Sequence, residues 1–232
     1  MTDYRIVNLS AMVEELGENA VKAILSDFSC PLNPDIEYYL SQKAIEFAMH
    51  GWAQTHLVYA PIKNNESLKE KELLTSADTE ADVDEWVLVG YFALSGSKCM
   101  RIPASTLGKS GSKLRSRINQ FATYDSDSKS YILPAPLIAQ LGKNYSNGYN
   151  NLITGDELLA EACNKIKRMQ FDMGGKFAYL ECEDKHKLTS FYKKNGFWEF
   201  DKRKLDKDET DKLDGDYLVQ MLKYFHREKR KK

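Results

Sequence analysis

The stretch 140–197 places the tightest limit on what this chain can fold into. It reads as a strand, an Asn- and Gly-rich turn, a helix, a second strand and a short helix ending Phe191-Tyr192-Lys193-Lys194-Asn195-Gly196-Phe197. The helix, over 156–170, carries Leu158, Leu159, Ala162, Cys163, Ile166 and Met169 at helical spacing. The turn before it runs from Asn144 to Gly155, and its Asn and Gly residues accept left-handed backbone at low cost. A turn feeding a helix N-terminus aims free N–H groups and the positive end of the helix dipole at whatever lies there. A pyrophosphate is the natural guest, so the order predicts a site for a long, pyrophosphate-bearing ligand at the end of a split sheet.

The strand leading into that turn lies in 131–142, where Pro134 and Pro136 prevent full laddering of its first part. A strand that starts near Pro136 and frays near Gly142 leaves backbone amides unpaired, and these can bind an amide-rich arm as though it were another strand. After the helix, 176–182 reads as a strand, 188–194 as a short helix closed by Asn195-Gly196, and 197–200 and 217–225 as two further strands.

Upstream, 86–95 is the best strand in the chain, apolar on both faces as a central strand should be. Residues 55–60 read as a second strand, 98–102 as the returning arm of a hairpin, and 12–25 and 35–50 as amphipathic helices, the first interrupted by Gly17. Residues 62–85 are polar and poor in large apolar side chains, which predicts a surface insertion in a single domain spanning 1–232. Residues 106–129 are also polar, with Lys109, Lys113, Arg115 and Arg117; such a stretch is either a solvated loop or a polyanion contact. The basic run 226–232 reads as a frayed tail.

Lys and Arg number 33 against 34 Asp and Glu, a formal net charge of −1, so any nucleic-acid contact needs a local basic patch. Cys30, Cys99, Cys163 and Cys182 lie far apart without a CxxC pair, which argues against a metal cluster or a disulfide framework. No apolar run is long enough to span a membrane and the first residues lack a secretory pattern, so a cytoplasmic protein is expected. There is no GxxxxGK[ST] and no GxGxxG, which makes a nucleotide-binding α/β protein a poor reading.

Several runs, taken together, resemble the GNAT acetyltransferase superfamily, including its bacterial branch of aminoacyl-tRNA-acetylating toxins. They are Gln140-Leu141-Gly142, the helix start Gly155-Asp156-Glu157-Leu158-Leu159, Tyr179-Leu180-Glu181-Cys182, and Phe191-Tyr192-x-x-Asn195-Gly196-Phe197. Phe28-Ser29-Cys30, the run 35–40 and the run 89–95 resemble the family's first half. The resemblance implies an α+β GNAT fold: a mixed, mostly antiparallel twisted sheet, splayed at its centre, with helices on both faces. It implies acetyl-CoA as cosubstrate, with Gln140, Leu141, Gly142 and Lys143 along the strand end and Asn150, Asn151, Leu152, Ile153, Thr154, Gly155 and Asp156 around the phosphates. The family's loop usually reads Gln/Arg-x-x-Gly-x-Gly/Ala; the matching positions 150–155 keep only the last glycine.

The resemblance also makes Tyr192 the expected general acid for the departing thiolate, a role suited to a phenol that is protonated at neutral pH. Leu188, Phe191 and Tyr192 share one apolar helix face, so packing is the competing role. No general base stands out: Glu181, Glu183, His56 and Tyr91 are weak candidates, and Cys163 and Cys182 sit in apolar patterns as small hydrophobes. The expected activity is transfer of an acetyl group from acetyl-CoA to a primary amine in a ternary complex. The alternatives are an aminoacyl-tRNA-acetylating toxin with an antitoxin partner, and a non-catalytic GNAT-fold binding module. The oligomeric state stays open between monomer and homodimer.

Overall fold

The computed structural model describes residues 3–62, 85–96, 99–109, 111–205 and 215–226. The expected insertion (apart from its end residues) and the basic tail beyond His226 lie outside them.

The apolar run becomes strand β3 (Glu85–Ser95), buried continuously from Val87 to Ser95. Its neighbours are β2 (Gln54–Ile62) on one edge and β7 (Leu137–Lys143) on the other, both antiparallel to it. β1 (Arg5–Asn8) pairs with β2, while β8 (Phe177–Glu183), β10 (Tyr217–Tyr224) and β9 (Trp198–Lys204) continue beyond β7. The seven-stranded order is therefore β1-β2-β3-β7-β8-β10-β9, with β7–β8 its one parallel pair.

Helices cover both faces. α1 (Leu9–Leu16), α2 (Glu18–Leu25), α3 (Pro34–Tyr38) and α4 (Ala44–Met49) bury Leu9, Val21, Leu25, Ile36 and Ala44 against Leu57, Leu88 and Tyr91. On the other face α7 (Gly155–Met173) packs Leu158, Leu159, Ala162 and Ile166 over Val89, Phe92 and Ile138, and α8 (His186–Lys194) closes its end. Gly17 at φ 82° separates α1 from α2, as its position in the amphipathic stretch predicts.

Two glycines set how closely these layers approach. A Cβ on Gly90 would meet Gly142 O at 2.8 Å and Leu158 at 3.2 Å, so β3 accepts β7 and α7 only without a side chain there. A Cβ on Gly142 would lie 2.2 Å from Ile36 Cγ2, so α3 can rest on β7 for the same reason.

Two expectations are corrected. The returning hairpin arm at 98–102 does not form: β4 (Met100–Pro103) joins β6 (Ser130–Leu133) and β5 (Thr123–Asp125) in a separate three-stranded sheet. Both edges of β3 are already taken by β2 and β7, which leaves no ladder for a returning strand. The polar stretch 106–129 is not a plain loop but holds most of α5 (Ala104–Lys109), α6 (Ser112–Phe121) and β5, anchored by buried Leu107 and Ile118. The helix expected over 35–50 does form, as α3 and α4 running on through a π turn, Tyr39–Lys43.

Candidate active site

β7 and β8 pair only at Leu137↔Tyr179 and Ile138↔Leu180, after which the two strands part. A bulge opposite Ala93/Leu94 leaves Ala139 without a counterpart in β3, and such an extra residue bends its strand. Asn144 N–H donates to Val89 O across β3 at 2.8 Å. Amide direction alternates along a strand, so the N–H groups of Leu141 and Lys143 point to the β8 side, where β8 no longer pairs. The result is a cleft whose β7 wall carries strand amides that no described strand pairs.

The first four expected site residues line that wall with different attachments. Gln140 donates its side-chain amide to Asp35 Oδ2 at 3.1 Å, Leu141 packs against the α7-side core, and Gly142 lies beneath Ile36. Lys143 Nζ donates to the carbonyls of Asn150 and Ile153 at 2.8 and 3.0 Å, so it holds the loop from within.

Asn144 is the anchor at the strand's end. It is 1 % exposed; its amide nitrogen donates to Leu88 O at 2.9 Å, and its Oδ1 accepts from Ser29 N and Ser146 N, each at 3.0 Å. One side chain thereby fixes β3, the turn before α3 and the loop start. A 3₁₀ turn, Ser146–Asn151, follows, with left-handed backbone at Asn147 (φ 52°) and Gly148 (φ 74°).

The far end of the loop is self-satisfied. Asn150 donates its side-chain amide to Asn151, Leu152 is exposed, and Ile153 is 1 % exposed, its side chain in the core. Thr154 caps α7 in a complete capping box: Glu157 Oε2 accepts from Thr154 N–H at 2.8 Å and from Thr154 Oγ1 at 2.7 Å, and Glu157 N–H donates back to Thr154 Oγ1 at 3.1 Å. These bonds, the backbone N–H first, hold the Glu157 carboxyl below its ordinary range. Asp156 accepts from Asn195 Nδ2 and Lys194 Nζ, each at 2.8 Å, tying the start of α7 to the end of α8 and lowering its own pKa, mainly through Asn195. Gly155 fits the same junction, since a Cβ there would meet the Phe191 ring at 3.3 Å.

That junction fixes Tyr192. Its ring sits between Phe191 and Phe197, with centroids 5.0 and 5.9 Å away. The hydroxyl makes no hydrogen bond among the described residues, and the phenol around it is largely enclosed. Burial pushes the phenol pKa up, with the Cys182 thiol adding to the effect, so the group stays protonated at neutral pH. Packing and an available hydroxyl thus coexist in one residue.

No family model and no curated protein matches the chain. Solved structures do. A Tyr-to-Phe mutant of KacT aligns at TM-score 0.53 and 13% identity over 95% of both chains. AtaT complexed with acetyl-methionyl-tRNAfMet aligns at 0.53 and 16% over 94% of both. A structure described as a bacterial toxin aligns at 0.54 and 11% over 99% of this chain and 100% of its own. The chain has a GNAT fold.

Within this GNAT fold the weaker candidates are engaged elsewhere. His56 is 3 % exposed, stacks on Phe92 at 5.0 Å, and has its pKa lowered to about 4 by burial and by Lys165. Tyr91 is fully buried and donates to Ile36 O at 2.6 Å. Glu181 accepts from Arg203 at 2.7 Å and Gln220 at 2.9 Å, and Glu183 from Lys185 at 3.0 Å. Cys182 is buried, its thiol pushed up to about 12 by burial first and then by Asp184 and Glu183; the Cys163 thiol is raised too, again mainly by burial. Among the described residues no cluster of potential metal ligands occurs, and no helix is long and apolar enough to cross a membrane.

Reading the sequence missed the Asn144 anchor, the Asp35–Gln140 bond and the reciprocal bonding of Thr154 with Glu157. The Thr154-x-x-Glu157 spacing is a capping-box signature and was a usable signal; nothing local marks Asn144, whose partners lie 55 or more positions away apart from Ser146.

Proposed function

We propose that this chain is an acetyl-CoA-dependent N-acetyltransferase that moves an acetyl group to a primary amine in a ternary complex. The observation that carries the reading is the Tyr192 hydroxyl, without a hydrogen-bond partner among the described residues and held beside Cys182 of β8 where that strand leaves β7.

When bound, the donor supplies an activated thioester, whose C–S bond breaks as the amine nitrogen bonds to the acetyl carbon. The amides of Leu141 and Lys143 hold the acyl carbonyl and the amide-bearing arm by adding to the β7 edge. Gln140 and Gly142 shape the same wall, and 150–156 turns the chain around the donor's far end. Tyr192 gives its proton to the departing sulfur; the amine's proton leaves through water, and the phenol is reprotonated from solvent. No base is required of His56, Tyr91, Glu181 or Glu183.

A second reading narrows the acceptor to aminoacyl-tRNA, as in a toxin–antitoxin pair. AtaT, of similar fold, has been solved with acetyl-methionyl-tRNAfMet, and it has also been solved, as a mutant, with acetyl-CoA and the C-terminus of the antitoxin AtaR. The exposed Lys113 and Arg115 on α6 supply a local basic surface on a chain of net charge −1. The cytoplasm is the compartment that suits either acceptor.

Titration calorimetry with acetyl-CoA tests the proposal first, followed by mass spectrometry of amines and charged tRNA incubated with the protein and donor. One-to-one binding with acetylated product, lost in Tyr192→Phe, is the expected result. No binding at millimolar donor would instead make this a GNAT-fold interaction module.

A further inference from the structure

Building on the donor reading above, we propose that Glu157 occupies the phosphate end of the cleft, so that this chain recognises its donor by the acyl-pantetheine arm rather than by the diphosphate. In a phosphate-binding turn the loop and first-turn N–H groups are open toward the ligand. Here the Thr154 N–H and the Thr154 hydroxyl both end on Glu157 Oε2, at 2.8 and 2.7 Å, and the Glu157 N–H ends on Thr154 Oγ1. The chain has placed its own anion where a phosphate would accept those bonds.

The surrounding charges support the same conclusion. Lys143, the nearest cation in the strand, spends its ammonium on the carbonyls of Asn150 and Ile153. Lys194 is paired with Asp156, a second carboxylate in the same helical turn. Each cation at this end is thus already engaged within the chain, the third being Lys223, whose ammonium donates to Asn195 O at 2.6 Å. Ile153, at the position of the family's middle glycine, turns its side chain into the core and brings no additional donor. The strand end is the reverse: the Leu141 and Lys143 amides face the cleft with no strand opposite them. Recognition by this wall requires only the amides and thioester of the pantetheine arm.

The test is calorimetry of the full chain with two probes, acetyl-CoA and S-acetylpantetheine, on wild type, Glu157→Gln and Glu157→Ala. Wild type should bind the two within about threefold of each other, with affinities that change little with added salt. Both variants should bind acetyl-CoA about tenfold more tightly and more salt-sensitively, with S-acetylpantetheine unchanged. Glu157→Gln keeps a hydrogen-bonding group in the cap, and its melting curve verifies that it is folded. Acetyl-CoA binding to wild type roughly 100-fold tighter than S-acetylpantetheine would overturn the proposal while leaving the donor reading intact. So would variants with unchanged or weaker acetyl-CoA binding. If neither probe binds any variant, the donor reading fails and this inference falls with it.

Discussion

At its strand end the β7–β8 cleft presents backbone amides that no described strand covers and a tyrosine hydroxyl without a hydrogen-bond partner among the described residues. At its loop end, a few residues on, Lys143, Thr154, Asp156 and Glu157 are all satisfied within the chain. The two ends belong to one sequence run and one sheet edge, yet the side chains of the second are tied within the chain. Openness here is a matter of pairing: β7 and β8 part after two residue pairs, whereas the helix start has a Thr and a Glu at the spacing that closes a cap. On the proposed reading, the fold keeps the reactive half of a ligand site and fills the half that would hold the ligand's charges.

The largest expected effect lies at the open end. Tyr192→Phe should lower acetyl transfer about 100-fold or more, measured as thiol release from acetyl-CoA at saturating acceptor. Its urea midpoint and donor affinity should barely move, since the hydroxyl has no partner among the described residues to lose. A large stability loss with unchanged turnover would reduce Tyr192 to packing and remove the contrast between the ends.

His56 separates cleft chemistry from fold stability. Its folded pKa of about 4 lies below the unfolded 6.5, so the unfolded chain takes up a proton first as pH falls. Stability should therefore decline by up to roughly 3 kcal/mol between pH 6.5 and 4, and His56→Gln should remove that part of the decline in urea titrations. A wild-type decline of the same size in the variant would show that carboxylates account for it.

Asn144 joins the two ends. Asn144→Ala leaves Leu88 O, Ser29 N and Ser146 N without their partner, and should cost about 2–3 kcal/mol in urea unfolding. Donor affinity should weaken with it, because the loop start and the β7 edge lose a shared anchor. If affinity is untouched, the two ends are mechanically independent.

The smallest effect belongs to the closed end. Thr154→Ala should cost about 1 kcal/mol at pH 7 by thermal or urea unfolding. The ionised Glu157 stabilises fully above its ordinary value of 4.5, and that contribution is lost as pH falls through its lower folded value. The gap between wild type and variant should therefore shrink in acid; a constant gap would mean the cap does not depend on the carboxylate's charge.

Strong periodic runs were legible in the sequence. The 86–95 strand, the 156–170 helix and the 188–194 helix each appear within a few residues of where their apolar spacing puts them. The weak runs were not. Residues 106–129 looked like solvated loop because one buried Leu and one buried Ile suffice to dock α5 and α6 on a small sheet. The hairpin arm at 98–102 failed because whether β3 had a free edge is a property of β2 and β7, not of the arm.

What the sequence by itself determined is the strongly periodic elements, the Thr-x-x-Glu cap and the Phe-Tyr pair before an Asn-Gly stop, all set by spacing within a few residues. Only the tertiary structure decided that β7 parts from β8 after Ile138, that Asn144 ties loop to strand, and that Lys143 points inward to loop carbonyls. Those outcomes depend on partners far along the chain or on how a side chain turns. A hydrogen bond or a strand ladder is a choice among competing partners, and the fold, by bringing some within 3 Å and holding others apart, makes that choice.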